Sequence, residues 1–203
     1  MTPTTTPTTT PTTTDTIDDR ALKARHRAMW ALGDYPRVAA ELIAELGPAM
    51  FAPHHQQAVD ELVRACRPGG TIALLNWTSD GFVGEMFRAL GPYAAPPPTG
   101  ALSPVRWGDD RYVRRLLGDR VTDVAATPGV LRVDRFPTPQ TWRDHWKTVD
   151  GPTIATYRAL GADPDEVAAL DRDLAAVATR FDRGTSGTVL PWEYRIHTAR
   201  RVG

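Results

Sequence analysis

The chain has 203 residues, 41% of them hydrophobic, enough for one domain with a true core. Its 24 basic and 24 acidic residues cancel, which removes the electrostatic footprint of a nucleic-acid binder. Arginine supplies nearly all of the positive charge, since Lys23 and Lys147 are the only lysines. The single cysteine, Cys66, excludes an internal disulfide and leaves no zinc-type spacing, so no metal site is expected. No apolar run is long enough to span a bilayer, and the N-terminus lacks the basic start and apolar stretch of a signal peptide. A cytoplasmic protein is expected.

Residues 1–17 open on repeats of proline and threonine and read as a disordered tail, with one domain over residues 18–203. Asp18 to Trp30 predicts a first helix, broken at Gly33-Asp34-Tyr35-Pro36. Tyr35, Val38, Ala39, Leu42, Ile43 and Leu46 make the apolar stripe of a second, which Gly47-Pro48 ends. After Ala49 to Ala52, Pro53 stands where a helix can start, with Val59, Leu62, Val63 and Cys66 as its buried stripe. Pro68-Gly69-Gly70 stops that helix. Thr71 to Leu75 is apolar without alternation, as in a strand covered on both faces in a parallel sheet, and it ends at Asn76-Trp77.

Ser79-Asp80-Gly81 turns into a short helix carrying Phe82, Met86, Phe87 and Leu90. The proline-rich stretch Ala94 to Pro104 predicts a loop, and Asp109 a cap for a helix bearing Val113, Leu116 and Leu117. Val121–Val124 and Val130–Phe136 are strand material around a Pro128-Gly129 turn. Thr138-Pro139 opens a helix with Trp142, Trp146 and Val149, and a further helix holds Ile154, Tyr157 and Leu160. Asp163-Pro164-Asp165-Glu166 starts the next, with Asp as cap, Pro in the first turn and Glu reaching back. Gly184 to Gly187 is a turn. Trp192, Tyr194 and Ile196 then alternate with Glu193, Arg195 and His197, the period of a half-exposed, antiparallel strand. Alternating elements around one apolar strand argue for an α/β fold.

The stretch Glu61 to Ile72, with Arg67-Pro68-Gly69-Gly70 at its centre, resembles the junction that feeds the fifth sheet strand of class I S-adenosylmethionine-dependent methyltransferases. The chemistry suits such a junction, because Pro forbids further helix and paired glycines permit a tight backbone. Phe51 to His55 resembles the loop after the fourth strand, Trp107-Gly108-Asp109 and Val130 to Phe136 the later elements, and Glu193 to Arg201 the closing antiparallel strand. Arg25 to Leu46 resembles the helical cap before the core. The resemblance is closest to small-molecule methyltransferases of the ubiquinone/menaquinone-methylase type. It implies an incomplete Rossmann-like fold: the C-terminal half of the sheet with packed helices and an N-terminal helical cap. It also implies S-adenosylmethionine as cofactor and a small-molecule acceptor.

The family's glycine-rich turn, Asp/Glu-x-Gly-x-Gly, has no room between Leu46 and Phe51, where Gly47 to Met50 joins the cap directly to the later loop. No cofactor-binding glycines are therefore identified, and activity of the chain alone is in question. The candidate pocket residues are Phe51, His54, Asn76 and Trp77, because ligands in open α/β sheets bind beyond the carboxyl ends of strands. The competing roles are an Asn76 that caps backbone groups and a Trp77 that packs under the next helix. His54 and His55 are adjacent, point different ways on a helix and make a poor metal pair. Asp144, His145 and Ser186 lack the surroundings of a triad. Loss of the preceding strands would leave one edge of Thr71 to Trp77 open, so the alternative function is an interaction module that pairs with itself or a partner protein.

Overall fold

The computed structural model describes residues 54–97, 100–161 and 163–203, besides Ala24, Ala28, Leu32 and Gly33. The tail, the second N-terminal helix, the Gly47 to Met50 junction and Phe51 are expectations that lie outside these residues, as does the first helix apart from Ala24 and Ala28, which are helical. The described elements are α1 (His55–Ala65), β1 (Thr71–Trp77), α2 (Phe82–Leu90), a 3-10 turn (Pro104–Gly108), α3 (Asp110–Leu117), a second 3-10 turn (Gly118–Arg120), β2 (Val121–Phe136), α4 (Pro139–Val149), α5 (Gly151–Leu160), α6 (Pro164–Phe181) and β3 (Thr188–Arg201). They form an α/β fold whose three strands run in the order β1-β3-β2.

The junction between α1 and β1 uses its two glycines for different reasons. Gly69 has φ +70°, a left-handed conformation that side chains disfavour, yet open space surrounds it. Gly70 is confined instead: a Cβ there would lie 2.7 Å from Cys66 Sγ and 2.8 Å from the Arg67 carbonyl oxygen. The Gly69 amide donates to the Arg201 carbonyl (3.0 Å) and the Arg201 amide to the Gly70 carbonyl (2.9 Å). The start of β1 is thereby tied to the end of β3.

β1 is not part of a parallel sheet. It pairs antiparallel with β3, from Thr71 opposite Arg200 to Trp77 opposite Tyr194. Nor is it covered on both faces along its length: Ile72, Leu74 and Asn76 are buried on one face, whereas Thr71 and Ala73 on the other are exposed and only Trp77 there is buried. No strand among the described residues pairs with the outer edge of β1. β2 is likewise one strand, with Pro128 and Gly129 inside it opposite Arg195 and Tyr194. Its outer edge has no described strand, so the missing proline N–H breaks no ladder there. Gly129 is required by close packing, since a Cβ would lie 2.3 Å from the Tyr194 ring. The register shifts fall elsewhere, between Thr122 and Ala125, where Asp123 has φ +54°, and between Val133 and Phe136.

One sheet face carries the main core. Phe82 of α2 stacks on Trp192 of β3 at 5.7 Å and meets Trp142 of α4 edge-on at 4.9 Å. Trp146 and Trp77 meet the Trp192 ring edge-on at 5.2 and 5.6 Å. Trp192 is 2% exposed, and burying a ring of that size stabilises by about 4–6 kcal/mol. The expected caps form at Asp109, which accepts from the Tyr112 amide, and at Asp163, which accepts from the amides of Asp165 and Glu166. Glu166 makes no capping box; the box belongs to Thr138 and Thr141 at the start of α4. α5 buries Thr153 and Thr156 more deeply than the expected Ile154, Tyr157 and Leu160, because each threonine hydroxyl bonds locally, to Asp150 and to the Pro152 carbonyl.

Candidate functional site

The second sheet face sets buried polar side chains among apolar ones. Ile72, Leu74 and Asn76 alternate onto it from β1, and His197 of β3 joins them as the register partner of Leu74. α3 packs on this face through Asp110, and α1 lies beside α3 through His55 and Tyr112. The 3-10 turn Pro104–Gly108 closes the carboxyl end of β1. Its Gly108 sits so near that a Cβ would lie 2.2 Å from the Trp77 carbonyl oxygen.

His55 is fully buried, with Nδ1 2.8 Å from the Tyr112 hydroxyl and its ring 4.8 Å from that of Trp107. Burial, then the Arg106 guanidinium and His54, lower its pKa to about 4, so the imidazole is neutral at pH 7. Burial also pushes the Tyr112 phenol up. With that phenol as hydrogen-bond donor to Nδ1, the proton of His55 sits on Nε2, which has no partner. His197 is 1% exposed, and its Nε2 lies 3.0 Å from Asp110 Oδ1. Burial holds its pKa down despite the raising effect of the Asp110 carboxylate. A neutral imidazole oriented by a carboxylate keeps a lone pair on Nδ1, and that atom also lacks a partner.

Asn76 is fully buried, and neither its Oδ1 nor its Nδ2 has a hydrogen-bond partner. It therefore does not cap backbone groups. Trp107 Nε1 on the same side is unpaired as well. A buried polar group without a partner costs about 1–3 kcal/mol, so several on one sheet face are a feature that packing alone does not explain. Unpaired indole nitrogens also occur at Trp142, Trp146 and Trp192, but there the rings pack on one another in an aromatic core.

Of the pocket residues expected from sequence, the structure assigns Asn76 to this polar face. His54 is the residue before α1, half-buried and next to the site. Trp77 points the other way, into the core against Trp192 and Tyr194. Sequence reasoning missed His197, Asp110, Tyr112 and Trp107. His197 fell on the polar side of an alternating strand and reads as exposed unless α3 is known to cover it. Among the described residues no group of acidic, histidine or cysteine side chains could hold a metal ion. An apolar pocket of about 210 Å³ lies between α2 and α5, with Phe87, Leu90, Ala94 and Ala155 in its walls, but it presents no titratable group. No described helix is long and apolar enough to cross a membrane.

No family model matches the chain. An uncharacterized protein of Mycobacterium tuberculosis is 42% identical over 152 residues, which make up 75% of this chain and 54% of that protein; a Mycobacterium bovis protein gives the same figures. The chain thus spans about half the length of these relatives. A second uncharacterized M. tuberculosis protein is 32% identical over 272 aligned positions, taking in 91% of this chain and 97% of the relative. The chain belongs to the family of these mycobacterial proteins. Since 272 positions exceed the chain's 203 residues, the second family member has a portion with no counterpart here. A continuous stretch of 152 among 203 residues must include everything from α1 to α4, so His55, Asn76, Trp107, Asp110 and Tyr112 lie in the region shared with the first.

Proposed function

We propose that this chain is a methyltransferase-type protein of incomplete Rossmann-like architecture, whose polar sheet face receives a small-molecule acceptor. The observation that carries the reading is the Arg67-Pro68-Gly69-Gly70 junction, which leads from α1 straight into β1 through a left-handed Gly69 and a closely packed Gly70. The antiparallel closing strand β3 supports it, as does the longer relative, whose extra positions are compatible with a deletion between Gly47 and Phe51. Catalysis of this class comes largely from positioning the reactants in line. His55 and Asn76 would orient the acceptor, and His197, held by Asp110, would take its proton.

The described residues do not fit the methyl donor, S-adenosylmethionine. The glycine-rich donor turn of the resemblance has no counterpart among them, and the turn from β1 into α2 is otherwise engaged. There the Phe82 amide is already engaged by the Glu193 carboxylate at 3.0 Å. Gly81 and Gly84 face Thr78, Ser79 and Glu193 atoms rather than open space. No catalytic step is derived through the methyl donor. Calorimetric titration of the full chain with S-adenosylmethionine tests the point. Saturable heat supports an active enzyme, and none at high protein concentration ends the claim for this chain alone.

A second reading is favoured by the outer edge of β1, for which no described strand is a partner. Such an edge presents open backbone groups, and the function would then be self-association or docking of a partner protein. Light scattering that shows a stable monomer up to high concentration counts against it.

A further inference from the structure

The two outer edges of the sheet are built differently. That of β2 is broken up: Pro128 has no N–H to offer, the strand shifts register at Asp123, and Asp123, Arg132, Asp134 and Arg135 charge it. Charges, prolines and bulges are how sheet edges resist pairing with other chains. β1 has none of these. Thr71–Trp77 contains no charged residue and no proline, and it keeps one unbroken register against β3. Thr71 and Ala73 beside that edge are small and exposed. Opposite charges flank the strand. Arg67 precedes it and Asp80 follows it, both exposed and neither in an ion pair among the described residues. Arg200, exposed and opposite Thr71, adds to the basic end. At the other end the arginines are engaged, Arg195 by Asp110 at 3.7 Å and Arg106 by the Tyr112 ring at 4.4 Å.

An uncharged strand between a basic and an acidic end is complementary to itself when reversed. Antiparallel pairing of two copies sets Arg67 of each against Asp80 of the other, whereas parallel pairing sets like against like. We propose that a second copy of this chain occupies the outer edge of β1. The result is a two-fold dimer with one continuous sheet in the order β2-β3-β1-β1-β3-β2. Main-chain hydrogen bonds along the edge supply the affinity, and the end charges set the direction. The proposal rests on the second reading above, the β1 edge as an interaction site, and names its occupant.

The test is sedimentation velocity on the full-length chain over a range of concentrations, joined to amide hydrogen exchange. The unaltered chain should form a dimer. Ala73→Lys, at an exposed position on the strand, should give a folded monomer. Arg67→Asp and Asp80→Arg should each weaken the dimer about tenfold, since the two-fold axis counts each contact twice. Arg67→Asp combined with Asp80→Arg in one chain should restore it, because the exchanged charges again meet their opposites. Weakening without restoration refutes the antiparallel pairing. A dimer that Ala73→Lys leaves intact uses another surface and overturns the proposal. A monomeric unaltered chain overturns it as well, and hydrogen exchange then decides the underlying reading. Fast exchange of the β1 amides not bonded to β3 leaves the edge open to a different protein. Protection of all of them shows the edge already covered and ends both.

Discussion

Replacing Asn76 with an apolar residue should make the protein more stable, the reverse of the usual outcome in a core. The side chain is fully buried, and both amide atoms lack partners. Removing one unsatisfied buried polar group recovers about 1–3 kcal/mol. Leucine keeps the branching but adds volume, and overpacking can cost about 1–3 kcal/mol, so valine, smaller and favoured in strands, is the companion variant. The better of the two should gain about 1–2 kcal/mol. For a domain of this size that raises the melting temperature by roughly 2–8 °C. Asn76→Ala supplies the control, with the polar atoms gone and no replacement packing. Thermal unfolding followed by circular dichroism, with urea titration for the free energy, measures all three. A gain in stability together with loss of ligand binding would be the signature of a residue kept for function. If leucine and valine both destabilise by more than about 1 kcal/mol, the amide is hydrogen-bonded in solution and the site argument fails at its centre.

Three further outcomes follow from the same structure. His55 should titrate near pH 4 by NMR; because its folded pKa lies below the ordinary 6.5, the stability it contributes is present above pH 6.5 and is lost as the pH falls toward 4. Tyr112→Phe removes its partner and should lower stability by about 1 kcal/mol, and a His55 that titrates normally would refute the buried arrangement. Asp150, buried at the start of α5, has its pKa raised to about 6 by burial against the opposing bonds from Thr153. Its contribution is therefore complete below the ordinary value of 3.8 and is lost as the pH rises through about 6. Asp150→Asn, which can still accept from Thr153, should flatten that pH dependence by up to about 3 kcal/mol in urea titrations at pH 4 and 7.5, and an unchanged profile would assign the loss to another group. At the junction, Gly69→Ala should cost about 1–2 kcal/mol for its left-handed backbone, and Gly70→Ala more, since its added carbon meets the Arg67 carbonyl; equal costs would mean the backbone relaxes there.

Local chemistry made much of this fold legible. The stop at Pro68, the caps at Asp109 and Asp163, and the apolar stripes of α1 and α4 all depend on residues within one or two turns of one another. Trp142 and Trp146 were legible as one face of α4, and Trp192 as the apolar side of β3, for the same reason. Strand direction was less so: the apolar run of β1 suggested a strand covered on both faces in a parallel sheet, whereas Thr71 and Ala73 are exposed and its neighbour runs antiparallel. The Pro128-Gly129 pair suggested a turn, yet it lies within β2, where the Tyr194 ring crosses the glycine.

The site depended most on tertiary structure. Asn76 was visible from sequence as the end of a buried strand, which is a local fact. His197 was not, because its burial comes from Asp110, 87 positions away on α3. An alternating strand announces two faces but not whether the polar one meets water or a helix. The sequence determined where the elements begin and end, since those signals act over a few residues. Only the tertiary structure decided which polar side chains became buried without partners, because that depends on contacts between segments far apart in the chain.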